Sequence, residues 1–289
     1  MIFKPQKVLH LADELAKKKP KLEGEFMVSL KLDGWYVYIE YNPLSGWSNP
    51  KSSRGRVIPS LTHLRVEAEL SLPRPQKPCI LIGEVIIPDS PFHITNGILN
   101  RSIGDCQARD IEFHIHDIVY SEPQIALRRF ETLEFFIPKE HKYFKKLELI
   151  FVAEYDKKLW MNTFDFFVAK GEEGLVAKRS NSYYLEGKRN SDLLKLKLES
   201  SFDCVAVRLE ESIGEMGMDG LTLVSKRANG TEIRTIIGKH SDKQLFRENP
   251  NSVIDKVVEI KCMEELEDGQ LRQPVFKCIR EDKLPTDIN

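Results

Sequence analysis

The segment Lys31-Leu32-Asp33-Gly34 offers an amine beside a carboxylate and a glycine. A lysine becomes a nucleophile where burial or nearby cations disfavour its ammonium form. Four residues alone favour an exposed lysine at a tight hairpin turn. Arg54 and Arg56 flank Gly55 in SSRGRVIPS. A glycine lets backbone approach a ligand, and a guanidinium grips phosphate or hydroxyl, although an ordinary basic turn reads the same way. Glu84 lies inside the apolar run LIGEVIIP. A carboxylate there is costly unless it is paired or binds a ligand hydroxyl; the alternative is a strand-end glutamate facing water. In FHIHDIV, His114 and His116 stand two apart. They suit a metal pair lacking a third ligand, a ring stacked on a base, or plain surface histidines. Glu173 in KGEEGLVAKR suits a divalent cation beside phosphates, or an ordinary helix-to-strand turn. Lys195 and Lys197 in LLKLKLE project in parallel from one strand. That arrangement suits a polyphosphate and favours the neutral form of a third lysine nearby; gatekeeper lysines on an edge strand are the plain alternative.

Elements must position these groups. The chain has 289 residues, with 43 Lys+Arg against 44 Asp+Glu, and 41% hydrophobic residues. That excludes disorder as the main state and a uniformly basic nucleic-acid coat, and leaves room for one large domain or two modest ones. No apolar run approaches the roughly 20 residues that span a bilayer. The amphipathic start does not read as a secretory signal, so the expected location is cytoplasmic or nuclear, or a compartment of a virus-infected cell, with no membrane partner. Five scattered cysteines form no CxxC pair and suggest neither disulfides nor a zinc site.

Val8, Leu11 and Leu15 recur at helical spacing. Phe26, Val28, Leu30 and Leu32 alternate as a strand, and Asp33-Gly34 predicts a hairpin whose return strand is WYVYIEY. Strands are expected over Glu112 to Val119, Glu148 to Ala153, Gly174 to Lys178 and Leu193 to Leu198. Helices are expected over Leu61 to Leu72, Ile125 to Phe136 and Trp160 to Lys170. The pattern predicts an α+β domain over residues 1–199, with antiparallel sheets and flanking helices. Beyond it, five short strands with a helix between the third and fourth predict a β-barrel OB-fold domain over 200–289.

The order of these segments, from about Met27 to Lys283, resembles the minimal ATP-dependent DNA ligases of the covalent nucleotidyltransferase superfamily. KLDG resembles the K-x-D-G motif; SSRG, LIGE, FHIHD, EEGLVAK and LLKLK fall where the next five motifs belong; and RQPVFKCIREDK resembles the closing R-x-D-K motif. The resemblance implies an adenylation domain followed by the OB-fold domain. It implies that Lys31, with Asp33 in its motif, takes AMP from ATP, and that Lys195 and Lys197 contact the α-phosphate. Glu84 would bind the ribose, His116 would stack on adenine, and Glu173 would bind the metal. Arg54 would lie near the sugar and the nick, while Arg280, Asp282 and Lys283 would orient the leaving pyrophosphate. Arg56, Lys188, Arg189 and Arg272 are the further DNA-contacting candidates. Mg²⁺, or Mn²⁺ in its place, would be required. The expected partner is nicked duplex DNA, engaged by a monomer with a hinge near Glu199 to Phe202.

Two positions depart from the family pattern. Tyr36 stands where an arginine is usual, and His116 where an aromatic residue is usual. The stretch EESIGEMGMDG is short where a minimal viral member carries a long insertion that helps encircle DNA, which implies modest, salt-sensitive DNA affinity. RNA ligases and capping nucleotidyltransferases share the K-x-D-G chemistry and are the alternative within the superfamily. A non-catalytic DNA-end binder is the alternative of another class.

Overall fold

The computed structural model describes residues 3–90, 92–101, 108–197, 200–213, 219–263, 265–266 and 268–288. Cys106, Glu199 of the expected hinge, and residues 214–218 of the short stretch lie outside them. The chain divides into two compact units, Met1–Lys197 and Leu198–Asn289.

The N-terminal unit opens with β1 (Lys7–His10), α1 (Leu11–Leu15), β2 (Glu25–Leu30) and β3 (Trp35–Asn42). Two short strands, β4 (Gly46–Trp47) and β5 (Lys51–Ser52), precede α2 (His63–Ser71) and β6 (Cys79–Ile86). There follow α3 (Phe92–Leu99), β7 (Glu112–Tyr120), α4 (Ala126–Phe136), β8 (Phe144–Lys146), β9 (Leu149–Glu154), α5 (Lys157–Val168), β10 (Gly174–Arg179) and β11 (Arg189–Lys197). These form two sheets. One runs β1-β11-β10-β2-β9; the other runs β4-β3-β6-β7-β8, with β5 paired to β3, and curls into a half barrel.

Each sheet buries one face. Phe26 and Val28 of β2, Leu175 and Ala177 of β10, and Leu194 and Leu196 of β11 pack with Trp160 and Phe164 of α5. The helix starts where the Asp156 side chain accepts from the Leu159 amide at 2.6 Å, capping an otherwise orphaned donor. Trp160 and Phe164, four residues apart, then lie on one stripe. In the second sheet Val37, Ile39, Leu81, Val85, Phe113 and Ile115 pack with Leu64 of α2 and Leu133 and Phe136 of α4. The period-2 alternation of both sheets therefore sends Ser29, Val176 and Lys195, and likewise Tyr36, Ile82 and Glu84, to the faces opposite these cores.

Three expectations are corrected. Asp33-Gly34 does not close a hairpin, because β2 is already flanked by β10 and β9 while β3 pairs with β6, β4 and β5. Lys31–Gly34 instead crosses from one sheet to the other. Val8 belongs to a strand rather than a helix: Lys7–His10 lies parallel to β11, and this pairing overrides the helical spacing.

The third correction concerns the C-terminal unit. Its strands β12 (Ser200–Ile213), β13 (Asp219–Lys226), β14 (Glu232–Ile236), β15 (Val257–Cys262) and β16 (Val275–Ile279), with α6 (His240–Glu248), form a sheet of order β14-β13-β12-β15-β16. The sheet is neither closed nor curled into a barrel, and among the described residues no ladder joins β14 to β16. Closure needs a matching tilt and stagger of the strands, which strand count and alternation do not encode. One face is covered instead by Phe246 of α6, packed with Cys204, Ala206, Leu223, Val258 and Ile260.

Candidate active site

Lys31 follows the last residue of β2, and its amide donates to the Gly174 carbonyl at 2.8 Å. Ser29 pairs with Val176, Val176 with Lys195, and Gly174 with Lys197. Residues opposite one another in a ladder share a face. Two rows therefore stand side by side, Ser29-Val176-Lys195 and Lys31-Gly174-Lys197. Only glycine fits the middle of the second row: Gly174 has φ +149°, and a Cβ there would lie 2.1 Å from the Leu196 carbonyl oxygen. Glu173, at the mouth of β10, accepts from Lys31 Nζ at 2.6 Å.

Across from these rows stands the open face of the second sheet. Between them lies a cavity of about 330 Å³ whose wall includes Ser29, Lys31, Tyr36, Ser53, Ile82, Glu84, His116, Asp117, Val176, Lys178 and Tyr184. Glu84 reaches it from β6, opposite Tyr36 of β3. Its Oε2 is buried with no hydrogen-bond partner. Burial pushes the Glu84 carboxyl up to about 8; Lys31 pulls it down, while Glu173 and Asp33 push it further up.

His116 reaches the cavity through a β-bulge. Ile82 pairs with Asp117 and the next residue, Gly83, pairs with Ile115, so His116 has no partner across the ladder. A Cβ at Gly83 would lie 2.2 Å from the His114 carbonyl oxygen, so this close passage of β6 past β7 needs glycine. His114, two residues before His116, bonds Glu112 at 2.8 Å. Burial, then Lys178, pushes the His116 imidazole down to about 4, so it is neutral at physiological pH.

Beneath it lies a buried ionic group that sequence reasoning missed. Asp117 accepts from Lys178 Nζ at 2.7 Å and from Arg129 Nε at 2.7 Å and Nη2 at 3.2 Å. Lys178 also donates to the His116 carbonyl at 3.0 Å. Burial works to raise the Asp117 pKa, yet Lys178 and Arg129 together hold it well below the usual carboxylate range. The signal that marked Glu84, a charge inside an apolar run, was equally present at Asp117 in FHIHDIV.

The remaining candidates lie elsewhere. Lys195 and Lys197 share the face of Lys31 but are not part of the cavity wall. Arg54 and Arg56 are exposed on the turn that carries Ser53 to the cavity, and Lys188 and Arg189 are exposed at the start of β11. Arg272 is half-buried in the C-terminal unit. There Arg280 donates to Asp282 at 2.8 and 2.7 Å and to Asp203 at 3.2 Å, and Lys283 donates to Asp203 at 2.5 Å. Asp203, which bridges the two cations, was also missed from the sequence.

Among the described residues no group of three or more His, Cys, Asp or Glu side chains converges to hold a metal. With Glu173 bonded to Lys31, this donor set suits a cation carried largely by substrate phosphates rather than a protein cage. No helix among the described residues is long and apolar enough to cross a membrane.

A search of curated proteins by sequence found no match. Among solved structures, "Pmar-Lig_PreS3" superposes with a TM-score of 0.75 at 20% identity, covering 97% of this chain and 68% of that one. A minimal-scaffold Lig E DNA ligase superposes at 0.71 and 17% identity, covering 97% and 100%. The ATP-dependent DNA ligase of bacteriophage T7, in complex with ATP, superposes at 0.54 and 18% identity, covering 96% and 98%. The sequence model of the ATP dependent DNA ligase domain matches residues 10–197, most of the chain. The chain therefore belongs to the ATP-dependent DNA ligase family, enzymes that seal DNA by nucleotidyl transfer.

Proposed function

We propose that this chain, acting as a monomer, seals 5′-phosphate/3′-hydroxyl nicks in duplex DNA through an adenylate carried on Lys31. The observation that carries the reading is the Lys31 amine on the cavity wall, bonded to Glu173 at 2.6 Å. In the first step the nitrogen attacks the α-phosphorus of ATP. An N–P bond forms, the P–O bond to pyrophosphate breaks, and the amine proton passes to Glu173 or water. Lys195 and Lys197 stabilise the charge that develops on the α-phosphate. His116 stacks on adenine as a neutral ring, and Glu84 takes the ribose. Arg280, Asp282 and Lys283 serve the pyrophosphate leaving group. In the second step a 5′-phosphate oxygen of the nick takes the adenylyl group and frees Lys31. In the third, the 3′-hydroxyl attacks the activated phosphorus and AMP departs. Arg54, Arg56, Lys188, Arg189 and Arg272 supply contacts to the DNA backbone, which makes affinity salt-dependent. Glu173 would help hold Mg²⁺, or Mn²⁺ in its place, beside the substrate phosphates, and the cation would offset phosphate charge.

Mass spectrometry of the protein incubated with ATP and Mg²⁺ tests this reading. The wild type gains one adenylate, and Lys31→Ala gains none and seals no nicked duplex. Nick sealing by Lys31→Ala would end the proposal.

A further inference from the structure

We propose that Asp203 is a positioning residue for the first step: with one oxygen on each cation, it holds Arg280 and Lys283 side by side as a single pyrophosphate-binding pair. The inference rests on the proposed role of those two cations at the leaving group.

Arg280 and Lys283 stand at the two ends of the turn that follows β16. The Arg280 amide donates to the Val257 carbonyl at 2.8 Å, and the Lys283 amide donates to the Arg280 carbonyl at 3.2 Å. The backbone therefore fixes where the two side chains begin, but not where their charges lie. Both side chains are long and rich in rotamers, and like charges on one turn repel each other. Asp203, 77 and 80 residues away, opposes this: Oδ1 accepts from Arg280 Nη1 at 3.2 Å, and Oδ2 accepts from Lys283 Nζ at 2.5 Å. Asp282 holds the other edge of the guanidinium, through Nε and Nη2. The Asp282 side chain is 63% exposed and that of Asp203 21%, so solvent screens the hold of Asp203 less. A guanidinium and an ammonium carry more donors than these bonds consume, so both cations can bind a diphosphate while Asp203 still holds them.

Stability of the sheet does not account for the acid. Asp203 stands opposite Glu259 in the β12–β15 ladder, and like charges directly opposite are destabilising. An asparagine would avoid that repulsion, but only a carboxylate offers each cation its own charged oxygen. Charge balance alone predicts that removing an acid beside two cations favours an anion. Positioning predicts the reverse, because the loosened side chains must be ordered again whenever pyrophosphate binds. The sign of the effect separates the two.

Asp203→Asn is tested in three reactions. The first is adenylation from ATP. The second is its reversal, in which a pyrophosphate oxygen attacks the adenylate phosphorus, the N–P bond breaks, a proton returns to the Lys31 nitrogen, and ATP departs. The third is sealing of a nick that already carries the 5′-adenylate, in which pyrophosphate takes no part. Adenylation should fall about tenfold or more, KM for pyrophosphate in the reversal should rise about fivefold or more, and sealing of the adenylated nick should stay within about twofold. A general folding defect would lower all three together. Unchanged adenylation, a lower KM for pyrophosphate, or an equal loss in all three reactions would overturn the proposal. Should Asp203→Asn not fold, Asp203→Glu, which keeps the charge and displaces it by one methylene, decides by the same split. Adenylation untouched by Arg280→Ala and by Lys283→Ala would overturn the leaving-group reading and this inference with it. Adenylation slowed by both of those but not by Asp203→Asn would overturn this inference alone.

Discussion

Glu84 of the N-terminal unit and Glu259 of the C-terminal unit are both strand glutamates with neighbours that should neutralise them, yet they are treated differently. Glu259 accepts from Lys277 at 2.7 Å, and this bond outweighs burial to hold its carboxyl below the usual range. Glu84 has no bonded cation at its buried oxygen and is pushed up to about 8. Glu259 stands directly opposite Asp203, a like charge, and Asp203 in turn is neutralised by Arg280 and Lys283. Charges in that part of the C-terminal unit are matched within the fold, whereas the cavity keeps one carboxyl waiting. A chain tolerates such a cost where another molecule removes it. Asp117 is the control between the two: more buried than Glu84, and as well paired as Glu259.

The largest effect should come from taking away one of the two cations that hold Asp117. Arg129 and Asp117 are each 3% exposed at the side chain. Arg129→Ala leaves a buried carboxylate held by Lys178 alone and should cost about 3–5 kcal/mol in urea unfolding of the N-terminal unit. A loss below about 1 kcal/mol would break the comparison, since pairing would then matter little to a buried acid.

An intermediate, pH-dependent effect is expected at Glu84. Its folded pKa lies above its unfolded value, so its favourable contribution is full at low pH and fades as pH climbs towards about 8. Glu84→Gln should therefore gain stability over the wild type progressively between about pH 5 and pH 8, read as the difference between melting temperatures. A difference that stays constant with pH would show that Glu84 is not titrating alone.

The smallest effect belongs to Lys277→Ala. Its side chain is 46% exposed, and Glu259 keeps a contact with Cys278 at 3.7 Å. The melting temperature should shift by no more than about 2 °C, and less in high salt. A shift as large as that of Arg129→Ala would erase the distinction between the units.

Much of the site was legible because it depends on alternation. The period-2 pattern around Lys31, Glu84 and Lys195 gave each its face, and pattern survives a wrong topology. Topology itself was not legible at Asp33-Gly34: a turn signal states that the chain bends, not which sheet the next strand joins. The bulge at His116 adds one residue to β7 without changing the residue types around it, so spacing alone could not separate the roles of the two histidines. The C-terminal strands were found, but whether their sheet closes is a property of stagger between strands. Asp203 was invisible because it lies 77 residues from Arg280 and 80 from Lys283, in a run whose alternation explained it as surface.

The crossing at Lys31–Gly34 has a mechanical consequence. Lys31 rides on a joint between two layers, each with its own separate packing. Glu173 travels with the layer that carries Lys31, while Glu84 and His116 travel with the other. Slight shear between the layers would leave Lys31 and Glu173 in register and carry Glu84 and His116 out of line. Repacking around Phe26 and Trp160, in the core on the far face of the sheet, would then misalign the two layers and slow the proposed adenylate transfer long before it loosened the protein.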